Sequence, residues 1–104
     1  MVYVIADIEL FPDKKNHYLD ELRKAIPLVR DEDGCLEYNP SLDFSTGIPI
    51  QQLPPANVVT IMERWRDLDA LLAHLGTAHM QAFFQAVAPF VKETRIRVLK
   101  PQPI

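Results

Sequence analysis

Apolar and polar positions alternate over residues 2–10, with Val2, Val4, Ala6, Ile8 and Leu10 on one side and Tyr3, Ile5, Asp7 and Glu9 on the other. The pattern predicts a strand whose second face is apolar only in its first half. The period then changes. Tyr18, Leu19, Leu22, Ala25, Ile26 and Val29 recur at three- and four-residue steps, predicting an amphipathic helix of roughly four turns. Pro12 and Asp13 open it, and Pro27 kinks or shortens its last turn. Asp31, Glu32, Asp33 and Gly34 form a polar stop, and residues 35–39 read as a second strand. Residues 57–66 read as a third strand, 67–75 and 77–89 as helical pieces divided at Gly76, and 91–100 as a last strand.

The order β-α-β-β-α-α-β is that of a ferredoxin-like α+β domain: a βαββααβ chain with an antiparallel sheet and a divided second helix. Helices then cover one sheet face only. Strand positions on the other face are also apolar, Val58 and Met62 against Val59 and Ile61, so a homodimer pressing sheet on sheet is expected. Residues 1–104 read as a single domain. The proline-rich segment 40–56, with Ile48, Ile50 and Leu53, reads as an extended loop or arm that clasps a neighbour or covers a pocket.

Composition removes several classes. The formal charge is −3 with both signs interspersed, which argues against nucleic-acid binding. Lys92, Arg95, Arg97 and Lys100 read as a solvated or paired strand face. A single cysteine, Cys35, allows neither a disulfide within the chain nor a cysteine metal cluster. No run approaches the ~18 apolar residues of a membrane helix. The N-terminus turns acidic by Asp7 without a basic flank or cleavage site, so a cytoplasmic protein is expected. Three glycines leave no dinucleotide fingerprint, and no serine-centred nucleophile elbow occurs.

Candidate chemistry concentrates between Asn57 and Ala86. Trp65, the only tryptophan, reads either as core packing or as the wall of a pocket for a flat aromatic ligand. His74 closes the first helical piece, and His79 follows five residues later. In an unbroken helix that step turns the second ring about 140° from the first, a poor metal clamp, and no metal site is expected. Either imidazole can move a proton near neutral pH. Tyr38 offers a phenol to the same cavity, and Asp7 and Glu9 read as bases or as exposed strand carboxylates. Phe83 shares helical spacing with Met80 and reads as core. A buried Glu63 would need a partner such as Arg95 or Arg97.

Two stretches resemble the antibiotic biosynthesis monooxygenase family, which includes quinol monooxygenases. Asp33-Gly34-Cys35-Leu36-Glu37-Tyr38 resembles its EPGCLxY turn and strand. Glu63-Arg64-Trp65 followed by Leu71, His74, Thr77, His79 and Phe83 resembles its ExW…LxxH…TxHxxxF run. The resemblance implies a dimeric α+β barrel with a cavity between sheet and helices. It also implies cofactor-independent oxidation of an aromatic hydroxy compound or quinol by O₂, without metal, flavin or haem. On that reading Trp65 and Tyr38 grip the ring and its oxygens, and His74 or His79 is the base or relay; the candidate site is then Trp65, His74 and His79 as catalytic residues, with Tyr38, Asp7 and Phe83 taken to contact the substrate. The chain departs from the pattern on its first strand, where Ala6-Asp7-Ile8 stands in a stretch that carries an asparagine in several of the oxygenases, and in the length of segment 40–56. Two further readings use the same scaffold: a non-catalytic or stress-related barrel binding a hydrophobic aromatic, and a non-oxidative isomerase or lyase.

Overall fold

Strand β1 (Val2–Leu10) keeps its alternation in the computed structural model, which describes residues 1–104: Val4, Ala6, Ile8 and Leu10 are buried and the residues between them half-buried. Pro12 and Asp13 do not open the helix. They form a tight turn in which the Lys14 N–H donates to Phe11 O at 3.1 Å and Asp13 takes a φ of 65°. Proline first and a positive-φ residue second is the pattern of a type II turn. Helix α1 (Lys15–Arg30) follows, burying Tyr18, Leu22, Ala25 and Val29. It continues past Pro27 to Arg30, and the Asp31 N–H returns to Pro27 O at 3.2 Å, so the proline does not end it.

The remaining elements are β2 (Cys35–Ser41), β3 (Val58–Trp65), α2 (Leu68–Leu75), α3 (Ala78–Val87), a 3-10 turn (Ala88–Phe90) and β4 (Val91–Leu99). The sheet is antiparallel throughout, in the order β2-β3-β1-β4. This is the ferredoxin-like α+β arrangement expected from the element order. The core lies between one sheet face and the three helices, with β4 left exposed along its length. On the outer face Lys92 and Arg95 pair with Glu9, and Arg95 also reaches Glu93.

Segment 42–57 adds no strand. Gln51 braces it: its side-chain oxygen accepts from the Thr46 N–H and hydroxyl at 3.0 and 2.6 Å, while its amide donates to Phe44 O at 2.7 Å. Phe44 and Ile50 stand 78% and 89% exposed on this arm. No helix is long and apolar enough to cross a membrane.

Candidate active site

Strand β3 decides what faces the core. Val59, Ile61, Glu63 and Trp65 point toward the helices, so the alternation that buries three apolar side chains carries a carboxylate in with them. Glu63 pairs with Val4 on β1 and Tyr38 on β2. Tyr38 reaches this row because the β2–β3 register shifts between Cys35 and Glu37, a bulge that takes up Leu36 and turns the tyrosine inward.

Above this row lies a cavity of about 180 Å³. Its floor includes Val4, Ala6, Ile61, Glu63 and Tyr38; its roof includes Tyr18, His74, Met80 and Phe83; its rim on the β4 side holds Thr94 and Ile96. An adjoining hollow of about 210 Å³ shares Tyr18, Phe83, Phe84 and Thr94 and extends to Val87 and Val91. Ala6 brings no polar atom to the floor. The cavity's ionisable groups come instead from β3, β2, α1 and α2.

The partner of Glu63 is Trp65 rather than an arginine: the indole Nε1–H donates to Glu63 Oε1 at 2.9 Å. Burial lifts the Glu63 carboxyl from 4.5 to about 7; the indole hydrogen bond opposes the rise and the charge of Glu32 adds to it. Burial, reinforced by the charge of Glu63, holds the Tyr18 and Tyr38 phenols far above their ordinary range. Both therefore remain O–H donors at neutral pH.

Helix α2 begins at Asp67, whose carboxylate accepts the Ala70 N–H at 2.8 Å, and ends at Gly76. Thr77 then caps α3, its hydroxyl donating to His74 O at 3.0 Å and accepting the Met80 N–H at 3.3 Å. This joint re-aims α3, so the two histidines do not diverge as a continuous helix would require. Both reach the carboxylate of Glu32: His74 Nδ1 at 2.9 and 3.1 Å, and His79 Nε2 at 2.8 Å. The His74 ring lies against Trp65, with centroids 4.5 Å apart, and against Tyr38 at 5.6 Å.

His74, Tyr38 and Phe83 thus line the cavity, while three other candidates stand apart from it. Trp65 has no exposed surface and is not in the cavity wall: at the end of the inward row of β3 it packs against the His74 ring. His79 faces Glu32 and a shallow outer groove, since α3 turns it away from the sheet. Asp7 is on the opposite sheet face, as strand parity requires, accepting the Thr60 hydroxyl at 2.7 Å. Glu63 and Tyr18 line the cavity, although the sequence offered Tyr18 only as a helix-face residue and Glu63 only as a buried charge in need of a partner.

The family model of antibiotic biosynthesis monooxygenase matches residues 1–86. An Escherichia coli K12 protein named probable quinol monooxygenase YgiN is 39% identical over 103 residues, covering 97% of this chain and 98% of its own. The crystal structure of PA3566 from Pseudomonas aeruginosa superposes with a TM-score of 0.81 at 25% identity, over 98% of this chain and 94% of the other. Rv0793 from Mycobacterium tuberculosis gives a TM-score of 0.81 at 25% identity, over 99% and 96%. By sequence and by fold, the chain belongs to the antibiotic biosynthesis monooxygenase family.

Proposed function

We propose that this chain is a homodimeric monooxygenase that oxidises a quinol or related aromatic hydroxy compound with O₂ in the cavity between sheet and helices. The observation that carries the reading is a carboxyl, an imidazole and two phenols facing one apolar cavity of single-ring size. A cavity of about 150 Å³ suffices for benzene, so about 180 Å³ holds one aromatic ring. The adjoining hollow leaves room for a fused ring or alkyl substituent.

Ionised Glu63 is the proton acceptor. A phenol of pKa about 10 facing a carboxylate at about 7 leaves roughly 4 kcal/mol to be made up. Hydrogen bonds donated by Tyr18 and Tyr38 to the forming oxyanion offset part of that gap in a site that excludes water. His74 Nε2, which bonds to nothing within the chain, is a second proton acceptor. Trp65 acts through Glu63 and His74, holding both in place.

The oxidation balances without an outside reductant. A hydroquinone and O₂ give a hydroxyquinone and water: one oxygen atom enters the ring, the other leaves as water, and the quinol supplies all four electrons. The deprotonated quinol is the electron donor to O₂, and the residues bind, orient and deprotonate it.

Oxygen uptake with a panel of one-ring and fused-ring quinols tests this, with autoxidation and heat-killed protein as controls. Saturable uptake that yields a hydroxylated quinone and is lost in Glu63→Gln is expected. Uptake no faster than autoxidation across the panel overturns it. Product formed equally well under strict anaerobiosis would move the reading to an isomerase or lyase using the same base.

A further inference from the structure

Glu32 lies outside the cavity wall, yet its carboxylate is only 10% exposed and forms no ion pair with a lysine or arginine. It sits just after α1, its N–H donating to Val29 O at 3.0 Å and its own carbonyl accepting from Cys35 N at 3.1 Å. From there the side chain reaches between α2 and α3. Its oxygens lie 2.8 to 3.1 Å from His74 Nδ1 and His79 Nε2. A buried carboxylate with no other donors needs an N–H from each ring, and the bond at one ring nitrogen sets the state of the other.

We propose that Glu32 is a positioning residue that holds His74 in the Nδ1–H tautomer, leaving Nε2 bare as the nitrogen offered to the cavity. His79 is the second strut. Its side chain is 27% exposed, and its Nε2–H points at Glu32 Oε2 from 2.8 Å, the oxygen that His74 Nδ1 also approaches at 2.9 Å, so it keeps Glu32 turned toward His74. The consequence for turnover rests on reading the cavity as the substrate site; the tautomer does not. The turn between α1 and β2 thereby does more than start a strand, since it sets a carboxylate against the joint between α2 and α3.

The test is two-bond ¹H–¹⁵N correlation spectroscopy of the histidine side chains at pH 8, on the full chain and on Glu32→Leu and Glu32→Asp. His74 in the native chain is expected as the Nδ1–H tautomer with an unprotonated Nε2. In Glu32→Leu, which removes the acceptor, it is expected to convert largely to Nε2–H, with kcat falling 10- to 100-fold and KM little changed. Glu32→Asp keeps the charge and is expected to restore part of both, which guards against a fold defect in the first variant. An Nε2–H tautomer in the native chain, an unchanged tautomer in Glu32→Leu, or a converted tautomer with kcat unmoved would each overturn the assignment. If the native chain turns over no quinol, the functional reading fails, and the tautomers still decide the role of Glu32.

Discussion

Trp65 and Glu63 are joined by one hydrogen bond, indole Nε1–H to Oε1 at 2.9 Å, between two side chains of the same strand face. The bond ties a wholly buried tryptophan to the ionisation of Glu63. Burial raises the carboxyl and the indole opposes that rise, so the proton affinity of Glu63 is a balance between the two.

Glu63→Gln separates function from stability. The glutamine oxygen can still accept the indole N–H, but the side chain takes no proton, and turnover is expected to fall at least 10²-fold. The stability sign follows from the raised folded value. Between 4.5 and about 7 the folded chain binds the Glu63 proton more tightly than the unfolded chain, so stability declines as pH rises through this window and is flat above it. Ionising Glu63 costs about 3 kcal/mol at about 1.4 kcal/mol per pH unit. Urea unfolding should therefore find the variant more stable than the native chain above pH 7 by about that amount, and nearly equal at pH 4.5. Parallel pH–stability curves would refute the assignment.

Trp65→Phe removes the donor and keeps most of the ring. The remaining carboxylate loses a hydrogen bond worth about 1.5–3 kcal/mol, so its pKa should rise further, by roughly one to two pH units. The acid limb of the kcat/KM profile moves to higher pH by that amount. Trp65→Ala is less informative, since emptying a fully buried indole site costs about 3–5 kcal/mol and endangers the fold. An unmoved acid limb in Trp65→Phe would show that Glu63 is not the group titrating there.

The apolar periods made the architecture legible. β1, α1 and β3 bury the positions their spacing marks, and Leu19 and Ile26 pack against the core beside them. The site was harder to read, for three local reasons. Glu63 reads as a buried charge that calls for an arginine, and nothing in the spacing says that the indole two residues on, along the same strand face, is its partner. The His74–His79 step implies divergence only if the helix is continuous, and the Gly76–Thr77 joint breaks that premise. Glu32 belongs to a run of acids that signals a stop, and nothing in its neighbours says that it alone turns inward. Asp7 shows the converse: parity on β1 puts it opposite Ala6 and Ile8, so its distance from the cavity was readable from the strand pattern.

Gly34 is the position where the turn before β2 tolerates no side chain. Its φ is +86°, and a Cβ there would stand 2.6 Å from Ala70 Cβ at the start of α2. Its carbonyl also accepts the Arg66 N–H at 2.8 Å, so the turn has little freedom to withdraw. Gly34→Ala is expected to destabilise the chain by about 2–4 kcal/mol, combining backbone strain with overpacking. Thermal unfolding checks this; a loss under about 0.5 kcal/mol, the usual range for surface substitutions, would mean that the turn relaxes freely.

The arm bears on assembly. Gln51 already holds residues 44–51 in one shape, so little ordering cost attends a contact made by Phe44 and Ile50. Both side chains are largely exposed, Leu42, Ile48 and Leu53 are exposed beside them, and Met62 is half-exposed on the outer sheet face. Within residues 42–53 alone, five large apolar side chains face solvent, more than scattered surface exposure accounts for. The native chain is expected to sediment as a two-chain species at micromolar concentration. Phe44→Glu with Ile50→Glu introduces two charges into the contact and is expected to give monomers of unchanged helix content. A native chain that sediments as a monomer throughout that range would refute the dimer. A dimer indifferent to the double substitution would place the interface on the outer sheet face and leave the arm for another contact.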